Sequence, residues 1–75
     1  MKWVYKNTIL INLETVHSIF IDKADEKPMI YFQMDRFNDN KDTILYFKSG
    51  EESKRQLERI KTFLTMKDQE MLEIK

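Results

Sequence analysis

The sequence contains no cysteine, one glycine, one proline and one histidine. Without cysteine the chain cannot form a disulfide framework, a thiolate nucleophile or a cysteine-ligated zinc or iron–sulfur site. A single glycine excludes the glycine-rich loops that hold phosphates or dinucleotides, because such loops need several residues without a side chain. The sequence therefore predicts no cofactor, no metal site and no catalytic residues.

Net charge and a long hydrophobic run are missing as well. The 13 basic and 13 acidic residues cancel, so no overall field attracts nucleic acid or anionic lipid. The most apolar run, residues 8–21, is interrupted by Asn12, Glu14 and His17 and is too short to span a bilayer. The first residues lack the apolar core of a signal peptide. We expect a cytoplasmic protein with no membrane partner and no small-molecule substrate.

The length of 75 residues predicts a single domain over residues 1–75. A chain of this size buries only about 60% of the surface that its unfolded form exposes, so its own core gives little stability. Burial against a second molecule would add apolar area. We therefore expect a homodimer or another protein partner.

The segment that begins at Ser49 predicts the clearest helix. Ser49 can accept a hydrogen bond from a free main-chain N–H, and Glu52 can return one, which together form a capping box. Leu57, Ile60 and Leu64 recur at helical spacing and form an apolar stripe. These signals predict an amphipathic helix over residues 50–66.

The end of that helix is open from sequence, because no glycine or proline follows Gly50. Met71 and Ile74 continue the heptad, so the helix could extend to residue 73 and reach about 36 Å at ~1.5 Å per residue. That is long for a domain of this size. The alternatives are fraying of the last turns, a short second helix from Thr65, or packing of the apolar tail residues on something else.

Five earlier segments alternate apolar and polar residues or are rich in β-branched and aromatic types, which favours strands. Short polar loops join them, and such loops connect antiparallel neighbours because parallel pairs need long crossovers. The fold class predicted is α+β: an antiparallel meander over residues 2–48, covered on one face by the C-terminal helix. The predicted strands are residues 2–6, 8–13, 16–22, 29–35 and 43–48.

Two short patterns carry a resemblance. They are INLExVxxI at residues 11–19, ahead of a hairpin, and FxSGEE at residues 47–52, where the closing helix opens. Over residues 9–64 the chain resembles small uncharacterised bacterial and phage proteins, some of them similar to a trimmed pleckstrin-homology-like sheet with its C-terminal helix. The resemblance implies the fold and provides no catalytic or ligand motif. The chain is two strands short of a full pleckstrin-homology domain, so no phosphoinositide site is implied.

His17 is the only histidine, and we consider it as a candidate general base. A triad-type site would also need a nucleophile and an orienting carboxylate, and the nearest acidic residues in sequence are Glu14 and Asp22. No such convergent set is visible. We interpret His17 as a residue on a half-buried strand face.

The polar loop between the last two predicted strands gathers oxygen ligands of the kind that calcium and magnesium prefer. It lacks the glycine and the bidentate glutamate of a calcium-binding EF-hand loop. Asn and Asp also favour hairpin tips for local turn bonds, and we interpret the loop in that way. Its candidate ligands are Asp35, Asn38, Asp39, Asn40 and Asp42.

Two function classes remain after these exclusions. We predict a non-enzymatic, self-associating interaction module that acts through a free sheet face or the distal helix, and small phage- or bacterial-type regulators or inhibitors fall in this class. Its predicted contact residues are Trp3, Tyr5, Leu64, Met71 and Ile74.

The alternative is a single-stranded nucleic-acid-binding protein whose sheet aromatics stack bases beside Lys or Arg. Its predicted residues are Tyr31, Tyr46 and Lys48. The balanced charge disfavours this class, because unpaired positive charge dominates the affinity of proteins for nucleic acid.

Overall fold

The computed structural model describes residues 1–22, 27–35 and 41–74. This part of the chain contains six strands, one α-helix and one short 3-10 turn at Leu13–Thr15. The elements in chain order are β1 (Trp3–Lys6), β2 (Ile9–Asn12), β3 (Val16–Phe20), β4 (Met29–Met34), β5 (Thr43–Tyr46), α1 (Gly50–Thr65) and β6 (Met71–Glu73).

The strands form two three-stranded sheets, so the predicted α+β class is confirmed and the single five-stranded meander is wrong. The first sheet has the order β2-β1-β6 and the second has the order β3-β4-β5. The chain changes sheet at the 3-10 turn, where the Asn12 side chain accepts the Glu14 N–H at 3.0 Å and the Thr15 hydroxyl donates to the Asn12 carbonyl at 2.9 Å. Such local side-chain bonds compete with a continuing strand ladder.

A two-residue turn joins β1 to β2. Asn7, its first residue, has φ of 55°, and no other non-glycine residue in the described ranges has a positive φ. Asparagine tolerates a positive φ better than most non-glycine residues, which suits it to this loop position. The turn fixes the antiparallel register, in which Tyr5 lies opposite Leu10 and Trp3 opposite Asn12.

The chain end forms a strand, which corrects the predicted extension of the helix to residue 73. The helix ends at Thr65, and β6 pairs in parallel with β1. Main-chain bonds from Trp3 N to Glu70 O at 2.7 Å and from Ile74 N to Tyr5 O at 2.8 Å extend this ladder on both sides. Of the alternatives for the tail, packing on another part of the chain is the one observed. It occurs because β1 offers unpaired backbone groups on the side away from β2.

The helix begins as predicted, with Ser49 as the N-cap that accepts the Glu52 N–H at 3.1 Å. Its buried face is rotated from the predicted stripe. Leu57 is half-buried and Leu64 is 47% exposed, whereas Ile60 and Phe63 are each 1% exposed.

One hydrophobic core joins both sheets and the helix. The first sheet contributes residues from β1 and β2 and from the chain end after β6, the second sheet contributes β4 and β5, and the helix contributes two residues. Its buried members are Val4, Ile11, Ile30, Phe32, Met34, Leu45, Ile60, Phe63 and Ile74.

Candidate functional site

The face of the first sheet that points away from the core is built from three strands. Successive strand residues point to opposite faces, so the buried Val4 and Ile11 place Trp3, Tyr5 and Leu10 on the opposite side. The pairing of Trp3 with Met71 brings the Met71 side chain to the same side. We call this surface the outer face and define it by Trp3, Tyr5, Leu10 and Met71.

The outer face is apolar and accessible. Leu10 is 55% exposed and Met71 is 54% exposed, and Trp3 and Tyr5 between them are half-buried. Paired residues on one face have Cβ atoms about 4.5–5.5 Å apart, so the four side chains form one patch. Asn12 and Glu73 share this side of the sheet as its polar members.

Three of the five residues predicted for protein contact lie together on the outer face: Trp3, Tyr5 and Met71. The other two lie elsewhere. Ile74 was predicted on a helical stripe with Met71, but it follows β6, is 1% exposed and belongs to the core. Leu64 lies on α1, beside β3.

Leu10 belongs to the outer face and was not predicted. Its segment, residues 8–13, is a nearly continuous apolar run, so the sequence contains no alternation from which to assign faces. The assignment follows only from the pairing with β1, which places Leu10 opposite Tyr5.

Leu64 and His17 line a groove of about 300 Å³ between β3 and α1. Val16, Ile19 and Leu57 provide apolar walls, and Lys61 is the charged residue of the lining. The lining includes no carboxylate that could orient the imidazole of His17. His17 lies on β3, as predicted, but its side chain is exposed rather than half-buried.

A second groove, of about 420 Å³, lies on the other side of α1, toward β6. Phe63, Met66 and Leu72 form its apolar part, and Arg55 and Arg59 border it. The Arg59 guanidinium is held within the chain, since it donates to the Gln56 side chain at 2.8 Å and to the Glu73 carbonyl at 3.4 Å.

The outer side of the second sheet carries the aromatic residues predicted for nucleic acid. Tyr31 stacks on Phe20 with the ring centres 4.9 Å apart and 20° between the planes. Its hydroxyl donates to the Asp42 carboxylate. That hydrogen bond, with some burial and the negative charges of Asp42 and Asp22, raises the pKa of Tyr31 above its ordinary value of 10.0.

Tyr46 lies on the same side of the second sheet and is 50% exposed, with the Lys27 ammonium 5.8 Å from its ring centre. Lys48 follows β5 and is exposed. Phe20 covers one side of the Tyr31 ring, and the carboxylates of Asp42 and Asp22 lie near its hydroxyl. The nucleic-acid alternative stays a prediction, because this face carries charges of both signs: the Asp42 carboxylate at Tyr31 and the Lys27 ammonium at Tyr46.

The candidate metal ligands are only partly described. Asn38, Asp39 and Asn40 lie outside the described residues. The two carboxylate oxygens of Asp42 accept from the Tyr31 hydroxyl and, at 2.9 Å, from the Met34 N–H. Within the described ranges no three His, Cys, Asp or Glu side chains cluster as metal ligands would.

The chain matches no protein-family model, no curated protein and no solved structure. The resemblance to a trimmed pleckstrin-homology-like sheet therefore stays a prediction. In the described part of the chain, no helix is both long and apolar enough to cross a membrane.

Proposed function

We propose that the protein is a non-enzymatic interaction module that associates with a second copy of itself through the first sheet. One observation carries the proposal: the outer face gathers Trp3, Tyr5, Leu10 and Met71 into one accessible apolar patch. Exposed apolar residues are normal singly, but contiguous apolar patches mark contact surfaces. Aromatic residues and methionine are also the types enriched at protein interfaces.

Self-association would add buried apolar area to that of the small core. A domain of this length is marginal by its own burial, and each apolar side chain covered by a partner adds about 25 cal/mol per Å² removed from water. Two polar residues, Asn12 and Glu73, lie on this side of the sheet. They lie at the sides of the patch, so its centre carries no charge. That arrangement, an apolar centre with polar groups around it, is typical of protein interfaces.

The test is the native mass of the protein in solution, measured by light scattering with absorbance at 260 and 280 nm. We expect a dimer free of nucleic acid. The double variant Leu10→Asp/Met71→Asp should return the monomer mass with an unchanged circular dichroism spectrum, because both side chains point away from the core.

Leu64→Asp is the matched control, since Leu64 is 47% exposed but lies on the helix, away from the outer face. It should leave the dimer intact. A wild-type protein that stays monomeric at high concentration would end the proposal. Salt-sensitive co-purification with nucleic acid would favour the alternative function instead.

A further inference from the structure

The main-chain groups at the β2 edge of the first sheet point outward. Trp3 N donates to Glu70 O and Tyr5 O accepts from Ile74 N, so these residues of β1 direct their main chain toward β6. Leu13 N donates to Lys2 O at 2.9 Å, so the even-numbered residues of β1 face β2. Antiparallel pairs alternate between bonded and non-bonded positions. Leu10 N–H and C=O therefore point to the side of β2 on which no strand in the described ranges pairs.

The side chains along this edge are not of the kind that prevents another strand from pairing there. Natural edge strands are protected by lysine, proline, a bulge or a covering element, because an open edge is a template for another strand. The β2 sequence Ile-Leu-Ile-Asn has no charge and no proline, and its register with β1 is regular. Residues 7–13 contain no charged side chain. Ile9 is 40% exposed and Leu10 is 55% exposed.

The other three described edges differ. β6 has three residues, and Arg59 reaches the carbonyl of its last residue, Glu73. β3 carries a register shift between Val16 and Ser18. β5 itself is uncharged, but Asp42 directly precedes it, and Lys41 and Lys48 lie two residues beyond its two ends. Lys27 also lies over the ring of its Tyr46.

We infer that two copies pair edge to edge through β2, in antiparallel orientation about a two-fold axis at Leu10. This inference rests on the proposed self-association and places the contact at the β2 edge of the first sheet, so that Leu10 is covered while Trp3, Tyr5 and Met71 of the outer face stay accessible. A two-fold interface sets identical residues against each other, so a strand without charges pairs with itself without repulsion. At β5 the same symmetry would bring lysines of both copies close together.

Pairing about Leu10 is self-complementary in both backbone and side chains. Leu10 of each copy donates its N–H to the carbonyl of the other Leu10, and Ile9 lies opposite Ile11 of the second copy. The exposed parts of Ile9 and Leu10 are then covered. The result is a six-stranded sheet in which Trp3, Tyr5 and Met71 of both copies share one side.

The absence of cysteine allows a direct test by single-cysteine cross-linking. In a bonded antiparallel pair the Cα atoms are about 5.5 Å apart, within the range that a disulfide spans. Leu10→Cys should oxidise to a covalent dimer. We expect a rate at least about tenfold above that of Met71→Cys or Tyr46→Cys, because paired thiols have an effective concentration near the millimolar range. Both controls are similarly exposed, at 54% and 50%, and sit on β6 and β5.

Two further measurements separate the outcomes. Leu10→Lys should give a monomer, whereas Leu64→Lys should stay dimeric. The emission of Trp3, the only tryptophan, should not change with concentration, because edge pairing leaves the outer face open. Monomeric wild type defeats both proposals. A dimer in which Leu10→Cys cross-links no faster than the controls, or in which Trp3 emission shifts on association, overturns the edge pairing and leaves self-association standing.

Discussion

The Lys2 ammonium lies 4.4 Å from the centre of the Phe63 ring. The same ammonium donates to the carbonyl of Met66, just after α1, and to the carbonyl of Gln69 at 2.7 Å. One side chain at the start of the chain thus contacts the last turn of the helix and the segment that leads into β6. This contact holds the helix end where β6 can reach β1.

We predict that Lys2→Met lowers the free energy of unfolding by about 1 kcal/mol, because it removes a cation–π contact and two exposed hydrogen bonds. The apolar stem is retained, so packing against Phe63 should change little. Urea denaturation measures the loss of stability. In hydrogen exchange, Lys2→Met should raise the exchange rates of residues 66–74 over their wild-type rates more than it raises those of β4. Lys54→Met, on the exposed side of the helix, is the control and should change stability by less than about 0.5 kcal/mol. If both substitutions changed the free energy of unfolding equally, the Lys2 contacts would not be what holds the helix end.

The side chains of Met71 and Ile74 point to opposite faces of the first sheet, because successive residues of a strand alternate between faces. Leu72 is half-buried and Ile74 is 1% exposed, whereas Met71 is 54% exposed. Ile74→Ala should therefore cost about 2–5 kcal/mol, the usual loss for truncating a buried aliphatic side chain. Met71→Ala should cost less than about 0.5 kcal/mol, as for a surface substitution.

Denaturation at one fixed protein concentration tests this pair, because association would otherwise contribute to the measured stability. The two variants also separate the strand from the helix that the heptad predicted. On a helix, Met71 and Ile74 share a face and would lose similar stability. A similar loss in both variants would contradict the strand.

The sequence predicts the helix start well because the signal is local. Ser49 and Glu52 are three residues apart, and the cap needs nothing from the rest of the chain. Each of the five predicted strand segments also contains a strand, since alternation and β-branched residues mark them locally. Only the arrangement of those strands in one sheet is wrong.

What the sequence does not predict depends on contacts between distant residues. β6 is three residues long and pairs in parallel with β1, so neither hairpin spacing nor a long periodic pattern marks it. The run from Met71 to Ile74 fits a helical spacing of three as well as a strand spacing of two. The outer face shows the same limit: alternation in β1 places Trp3 with Tyr5, but only the register with β2 and β6 adds Leu10 and Met71.

The hydrogen bond from the Tyr31 hydroxyl to Asp42 predicts a loss of stability at alkaline pH. The bond, burial and nearby carboxylates raise the pKa of Tyr31 above 10.0, so the folded protein holds this proton more tightly than the unfolded chain. Above pH 10.0 the unfolded chain binds fewer protons at this residue, and the free energy of unfolding falls as pH rises. The contribution is fully present below that pH and is lost as pH passes through the raised pKa.

Tyr31→Phe isolates this effect, because it removes the hydroxyl and keeps the ring stacked on Phe20. The stability difference between wild type and Tyr31→Phe should be largest below pH 10.0 and shrink above it. The difference between their tyrosinate absorbance curves gives the titration of Tyr31 itself, with a midpoint above 10.0. Asp42→Asn should move that midpoint back toward 10.0, since it removes the charged acceptor. A wild-type midpoint at 10.0 would show that the Asp42 carboxylate does not hold the proton, and the stability difference would then be independent of pH. A midpoint below 10.0 would reverse the sign of the pH dependence and contradict the prediction outright.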